Sequence, residues 1–178
     1  MRAGGGKAKG SSFEREICKR LSLWLSHGKR TDLFWRSAMS GGRATIANRL
    51  GRGGRIKVRQ PGDITAVAIE GAVLTDRYVI ECKHVRNLQL TAFLLEGRGA
   101  KQSIAGYWKK LRGEAKRHHK LPMLIAKQNN MPVIVVLENG ITDSLSDASW
   151  RIDSADLYVV CLFDDLCRTP QRYMPWHH

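Results

Sequence analysis

Cysteine is scarce in this chain and shows no paired spacing. The 178 residues include four cysteines, Cys18, Cys82, Cys161 and Cys167, and no two of them form a C-x-x-C pair. Zinc sites and thiol redox motifs depend on closely spaced cysteines, and small secreted domains depend on a framework of disulfides. We therefore expect free thiols in a reducing compartment, with neither a disulfide framework nor a zinc site.

The sequence also lacks a long apolar run. No segment offers the roughly 20 consecutive apolar residues of a membrane-spanning helix, and no apolar signal-peptide core is present. Hydrophobic residues still make up 43% of the chain, which is enough to form the core of one ordinary domain. No internal repeat is visible. We expect a single soluble domain with no membrane partner.

Acidic residues are outnumbered almost two to one. The chain has 16 Asp and Glu against 30 Lys and Arg, a formal net charge of +14 at pH 7. Residues 1–60 contain 15 basic and 3 acidic residues, whereas residues 121–178 contain 4 and 7. Because the positive charge is concentrated in one part of the chain, we expect a polyanion as partner, and nucleic acid is the commonest one.

Apolar periodicity predicts an α/β protein. A helix over residues 12–26 would bury a stripe made of Phe13, Ile17, Leu21 and Trp24, with Glu14 at its edge. The longest predicted helix covers residues 100–119. Apolar runs predict strands at 33–36, 63–69, 77–82, 123–127, 132–137 and 157–162, with a short helix after the last. This order predicts helices packed around a mixed sheet.

Two of the predicted strands carry acidic residues at their ends. Seventeen residues separate Asp63 from Glu81, and Lys83 follows two residues later. We interpret residues 63–69 and 77–82 as an antiparallel hairpin, with Glu81 and Lys83 on one face of the second strand. If Asp63 lies opposite the end of that strand, the two carboxylates reach one hard divalent cation such as Mg²⁺. Lys83 is then placed to orient an attacking water or to stabilise charge on a phosphate. A solvated surface pair remains an alternative.

Two glycine-rich basic segments are candidate DNA contacts. Residues 1–10 predict a flexible basic arm, and residues 38–60 predict a basic loop insertion that becomes ordered on nucleic acid. A disordered insertion without a role is the alternative. The outward face of the long helix adds a basic strip. The candidate DNA-binding residues are Lys7, Lys9, Arg36, Arg43, Arg49, Arg52, Arg55, Lys57, Arg59, Lys101, Lys109 and Lys110.

Four pieces of sequence together resemble the PD-(D/E)xK nuclease superfamily. They are residues 9–16 on the first helix, Trp35-Arg36-Ser37, Gly62-Asp63-Ile64 with Glu81-Cys82-Lys83, and residues 121–127. They occur in the family's order, and within the superfamily they are most similar to archaeal-type Holliday junction resolvases and related phage endonucleases.

The resemblance implies an α/β, restriction-endonuclease-like core and a Mg²⁺-dependent endodeoxyribonuclease, with Mn²⁺ able to substitute. It implies that Asp63, Glu81 and Glu14 hold the metal, that Lys83 is the catalytic lysine and that Ser37 assists near the scissile phosphate. It also implies a homodimer acting on branched or four-way DNA junctions, in the cytoplasm of a prokaryote or of a phage's host. The nuclease domain would span residues 11–178.

Other interpretations remain open from the sequence. Ser11 and Glu14 fit a helix capping box, and Ser37 could merely begin a loop. The basic insertion and the acidic C-terminal segment depart from the family's pattern, which leaves the DNA substrate and the dimer surface open. A non-catalytic DNA-binding or packaging accessory protein is the main rival. A nuclease of the same superfamily that acts on other DNA structures, on specific sequences or on RNA would share the site.

Overall fold

A computed structural model describes residues 5–37, 61–90, 103–138, 151–154 and 158–170. In this part of the chain the helices are α1 (Gly5–Leu25), α2 (Ile69–Thr75), α3 (Ile104–Arg117) and α4 (Phe163–Arg168). The strands are β1 (Phe34–Arg36), β2 (Ile64–Ala66), β3 (Tyr78–Val85), β4 (Leu121–Gln128), β5 (Val133–Glu138), β6 (Arg151–Ser154) and β7 (Tyr158–Leu162).

A mixed five-stranded sheet lies at the centre of the fold, with the strand order β3-β4-β5-β7-β6. β3 pairs parallel to β4, and the remaining neighbours are antiparallel. A parallel pair needs a crossover connection, and α3 lies in it. β1 and β2 form a separate antiparallel pair. The predicted α/β fold, a mixed sheet flanked by helices, is confirmed.

Helices cover both faces of the sheet. Because side chains alternate along its strands, each strand contributes buried residues to both faces. On β3, Ile80 and Cys82 join the core cluster that contains the apolar stripe of α1, whereas Val79 joins the cluster around Trp108 of α3. The predicted buried positions of both long helices are confirmed. Since Glu81 and Lys83 alternate with Ile80 and Cys82, they lie on the α3 side of β3.

The predicted hairpin of residues 63–69 and 77–82 is wrong. β2 ends at Ala66 and pairs with β1, and the next apolar residues form α2. Short apolar runs fit a buried strand and a buried helix equally well. Gly71 permits the close packing of this helix, because a Cβ at that position would lie 2.9 Å from the backbone oxygen of Leu33 and 3.2 Å from the Cβ of Ala66. Only a residue without a side chain lets α2 pack this closely on the β1–β2 pair.

The first helix starts earlier than predicted, at Gly5 instead of Ser12. Residues 5–10 of the predicted basic arm are therefore helical, although three of them are glycines, which intrinsically disfavour a helix. Residues 1–4 and the predicted insertion at 38–60 lie outside the described residues. β6 had no counterpart in the sequence prediction. In the described ranges, no helix is long and apolar enough to cross a membrane.

Candidate active site

Asp63 reaches the middle of β3 through a tight turn at Gly62. Gly62 has φ +86°, a conformation that side chains rarely adopt, and a Cβ there would lie 2.5 Å from the backbone oxygen of Ile80. The backbone N–H of Asp63 donates to that oxygen at 2.7 Å. The backbone N–H of Cys82 donates to Oδ2 of Asp63 at 2.9 Å. Two hydrogen bonds to β3 thus position the Asp63 carboxylate without a hairpin.

The ammonium group of Lys83 meets three oxygen atoms. It contacts the Glu81 carboxylate, lies 3.6 Å from Oδ2 of Asp63 and donates to the backbone oxygen of Cys82 at 3.2 Å. The three side chains are largely shielded from water, with 14–29% of their surface accessible. The structure therefore brings together Asp63, Glu81 and Lys83, although not through the predicted hairpin.

Burial and neighbouring charge both act on this cluster. Burial raises the pKa of the Glu81 carboxyl, the charge of Asp63 raises it further, and Lys83 and Lys110 oppose the rise. Burial by itself would lower the pKa of Lys83, but the charges of Asp63 and Glu81 raise it above its usual value. With both carboxylates ionised, the three side chains carry one net negative charge. A cation is the partner that this charge favours.

The atoms around Lys83 are suited to a hard divalent cation. Two carboxylates and the backbone oxygen of Cys82 face the same small volume. Mg²⁺ binds oxygen ligands and is commonly held by one or two carboxylates, with waters and substrate phosphate completing its coordination. Among the described residues, no group of three or more His, Cys, Asp or Glu side chains could hold a metal ion. A cation here would depend on Asp63, Glu81, the Cys82 carbonyl and water.

Glu14 lies on the other side of β3. Its Oε2 accepts a hydrogen bond from Nε of Arg36 at 2.7 Å. α1 covers the Ile80 face of β3, whereas Glu81 lies on the α3 face, so Glu14 and Glu81 are on opposite sides of this strand. The capping-box alternative is wrong, because Ser11 lies well inside α1 and not at its start. A role for Glu14 at the metal stays a prediction.

Ser37 and Thr65 border the Asp63 turn. The backbone N–H of Ser37 donates to the backbone oxygen of Asp63 at 2.6 Å, and the hydroxyls of Ser37 and Thr65 are 3.0 Å apart. Sequence reasoning identified Ser37 and overlooked Thr65. The signal was present, since Thr65 follows Asp63 by two residues and a strand puts such residues on one face.

The basic face of α3 borders the site. Lys109 and Lys110 are exposed, and Lys110 is near enough to Glu81 to lower the pKa of that carboxyl. The ring centre of Tyr107 lies 5.8 Å from Nζ of Lys83. Near the start of α1, Lys9 contacts the side chain of Asn129. The remaining predicted DNA contacts lie outside the described side chains: Lys7, Arg43, Arg49, Arg52, Arg55, Lys57, Arg59 and Lys101.

The chain matches the model of a known protein family. The model of the family described as phage putative PDDEXK endonuclease matches residues 5–163, which is well over half of the chain. The matched range contains Glu14, Asp63, Glu81 and Lys83. No curated protein and no solved structure matches the chain.

Proposed function

Because the chain belongs to this family of phage PDDEXK endonucleases, we propose that it is a metal-dependent endodeoxyribonuclease with Asp63, Glu81 and Lys83 in its active site. Membership confirms the PD-(D/E)xK superfamily that the motifs predicted, together with its restriction-endonuclease-like core. One observation supports the residue assignment above all others. The Lys83 ammonium, two carboxylates and a backbone oxygen converge on the strand that carries the motif.

Asp63, Glu81 and the Cys82 carbonyl would hold the metal, for which we propose Mg²⁺, with Mn²⁺ as a substitute. When bound, such an ion supplies positive charge that polarises a phosphoryl oxygen and favours ionisation of a water molecule. The hydrogen bond from the Cys82 N–H to Asp63 fixes one of the two carboxylates before any ligand arrives. A site that is already ordered needs little reorganisation at the moment of reaction.

Lys83 would position the attacking water and stabilise the phosphate. Its ammonium group has three N–H donors, and the carboxylates on either side hold it in place. A donor fixed in this way can hydrogen-bond a water molecule aligned for in-line attack, or a non-bridging phosphate oxygen on which charge develops. We propose no covalent enzyme intermediate, because a positioned water suffices for hydrolysis.

We propose branched DNA as the substrate, with a four-way junction cut by a homodimer as the specific case. The support for DNA is the family match and the net charge of +14. The support for a junction is the ordered set of motifs that resembles the junction resolvases. Such an enzyme would act in the cytoplasm of the cell that contains the phage DNA.

A single panel of substrates tests the proposal. The full chain is incubated at fixed salt with a four-way junction, a flap, linear duplex and single-stranded DNA, in Mg²⁺ and separately in Ca²⁺. Salt is fixed because a protein this basic binds any nucleic acid at low ionic strength. We expect Mg²⁺-dependent cleavage that Asp63→Asn and Lys83→Ala each reduce at least about 10²-fold. Binding in Ca²⁺ should persist in both variants.

Matched controls remove the same charges from the surface. Asp76 directly follows α2 and Lys29 lies in the turn after α1, and both residues are exposed, so Asp76→Asn and Lys29→Ala serve as the controls. These variants should cleave like the unmodified protein. If Asp63→Asn and Lys83→Ala also cleave normally, the active-site assignment is wrong. DNA binding without any Mg²⁺-dependent product would instead identify a non-catalytic DNA-binding protein. Equal cleavage of junction and linear duplex would refute the junction preference.

A further inference from the structure

An exposed tryptophan lies on the β1–β2 pair beside the candidate site. Trp35 keeps 48% of its surface accessible, whereas its neighbour Phe34 keeps 1%. The other large apolar residues exposed in the described part of the chain are Ile69 and Met131, so Trp35 is the aromatic one among them. Its flat ring system gives the solvent-facing side of β1 an exposed aromatic surface.

Alternation along β1 explains why Trp35 points outward. Phe34 is buried in the cluster that contains α1, and Arg36 reaches Glu14 on the same helix. Successive residues of a strand point to opposite faces. Trp35 therefore lies on the face of the β1–β2 pair that is turned away from α1.

That outer face also leads to Asp63. Trp35 lies directly across from Thr65, and the hydroxyl of Thr65 is hydrogen-bonded to that of Ser37. Ser37 in turn donates its backbone N–H to the backbone oxygen of Asp63. Diagonal neighbours in an antiparallel pair are about 7–8 Å apart, within reach of an aromatic side chain. Trp35 and Asp63 stand in this diagonal relation.

A nucleobase is the ligand chemistry that fits an exposed indole at this position. Base stacking on an aromatic side chain tolerates any base, because every base has a π-face. Bases inside a continuous duplex are stacked on one another and offer no free face. An unpaired or splayed base does offer one, which is how single-stranded loops and ends are recognised.

We propose that Trp35 is a stacking platform for an unpaired nucleobase close to the scissile phosphate, so that the preferred DNA carries an unpaired or splayed nucleotide there. This inference rests on the proposed nuclease function and narrows its substrate class. Phosphate contacts fix the position of the DNA and carry no sequence information directly. Trp35 would add a contact that only an unpaired or splayed base can make.

Binding assays with a fluorescent base test the proposal directly. Two DNA probes carry one 2-aminopurine, either unpaired at a branch point or paired within a continuous duplex. Binding is measured with Ca²⁺ in place of Mg²⁺. We expect Trp35→Ala to weaken binding of the branched probe about 5- to 150-fold, the range for loss of one stacked base, and to change duplex binding less than about twofold. Trp35→Phe should restore most of the affinity.

Two further readouts separate stacking from a structural role. The 2-aminopurine emission of the branched probe should be quenched by the unmodified protein and stay high with Trp35→Ala. The salt dependence of binding should be unchanged, because no phosphate contact is lost. Ile69→Ala, which removes another exposed apolar side chain, is the matched control and should leave both readouts as they are.

Three results would overturn the proposal. The first is an equal loss of affinity for both probes, and the second is no loss for either. The third is a change of oligomeric state in Trp35→Ala, which would identify Trp35 as part of a subunit interface. Cleavage by Asp63→Asn is read separately in Mg²⁺, so that failure of the nuclease assignment and failure of the stacking assignment give different results.

Discussion

Replacing Gly62 by alanine should disrupt the candidate site and the fold together. The new Cβ would lie 2.5 Å from the backbone oxygen of Ile80, whereas ordinary contacts begin near 3.4 Å, a shortfall of 0.9 Å. The obstructing atoms belong to the backbone of β3 and cannot rotate away. The positive φ costs a residue with a side chain about 1–2 kcal/mol, and forced overpacking costs about 1–3 kcal/mol. We expect Gly62→Ala to lower the free energy of unfolding by about 2–5 kcal/mol.

The same displacement should reach the chemistry. Asp63 is bonded to β3 through its own backbone and carboxylate, so a shift of the turn moves that carboxylate relative to Glu81 and Lys83. A misplacement of about 1 Å can cost on the order of 10²-fold in rate. We therefore expect a large loss of Mg²⁺-dependent cleavage even at temperatures where the variant is folded.

Two other glycines separate the contributions. Gly28 has φ +81°, and a Cβ added there would meet no atom within 4 Å, so Gly28→Ala tests positive φ alone. Gly113 lies inside α3, also without a neighbour within 4 Å, so Gly113→Ala should stabilise the protein by about 0.5–1 kcal/mol. Urea unfolding followed by circular dichroism measures all three variants. If Gly62→Ala is no less stable than Gly28→Ala and cleaves normally, the close approach of the turn to β3 is refuted.

Two further predictions concern α1. Burial and the charge of Glu14 raise the pKa of Cys18 from 9.0 to about 12, so the stability that the protonated thiol contributes is complete below pH 9 and is lost as pH rises from 9 towards 12. Between pH 8 and 10, Cys18→Ala should therefore lose about 1.4 kcal/mol less stability than the unmodified protein, measured by urea unfolding under reducing conditions. Equal losses in the two proteins would contradict this. The pair formed by Glu14 and Arg36 is partly buried, so a double-mutant cycle with Glu14→Gln and Arg36→Ala should give a coupling of about 1–2 kcal/mol. A value near zero would show that the pair does not stabilise the fold.

Local patterns made the two long helices and the main strands predictable, but not α2. The stripe of α1 and the buried positions of α3 repeat every three or four residues, and β3 alternates in a way that separates Ile80 from Glu81. Each of these patterns depends only on neighbouring residues. The motif residues Asp63, Glu81 and Lys83 could be grouped for the same reason, since each stands at or beside a recognisable strand.

Long-range pairing was not predictable from the same information. The partner of β2 is β1, and residues 38–60 lie between them, so proximity in sequence favoured a hairpin with β3 instead. The partner of Glu14 depends on which face of β3 the first helix covers, and periodicity in α1 cannot reveal that. The close contact of Gly62 with Ile80 is likewise a property of packing, although glycine before the acidic residue is visible in the sequence.

The position of Lys83 connects the stability of the site with its chemistry. Two neighbouring carboxylates that are partly removed from water repel each other, and burial already disfavours the charge of Glu81. Lys83 contributes one compensating positive charge and bridges the pair. In the proposed nuclease, a divalent cation would neutralise the remaining negative charge, and an incoming phosphodiester would match the surplus positive charge of that cation. On that proposal, the lysine that offsets the repulsion between the two carboxylates would also donate a hydrogen bond to the phosphate.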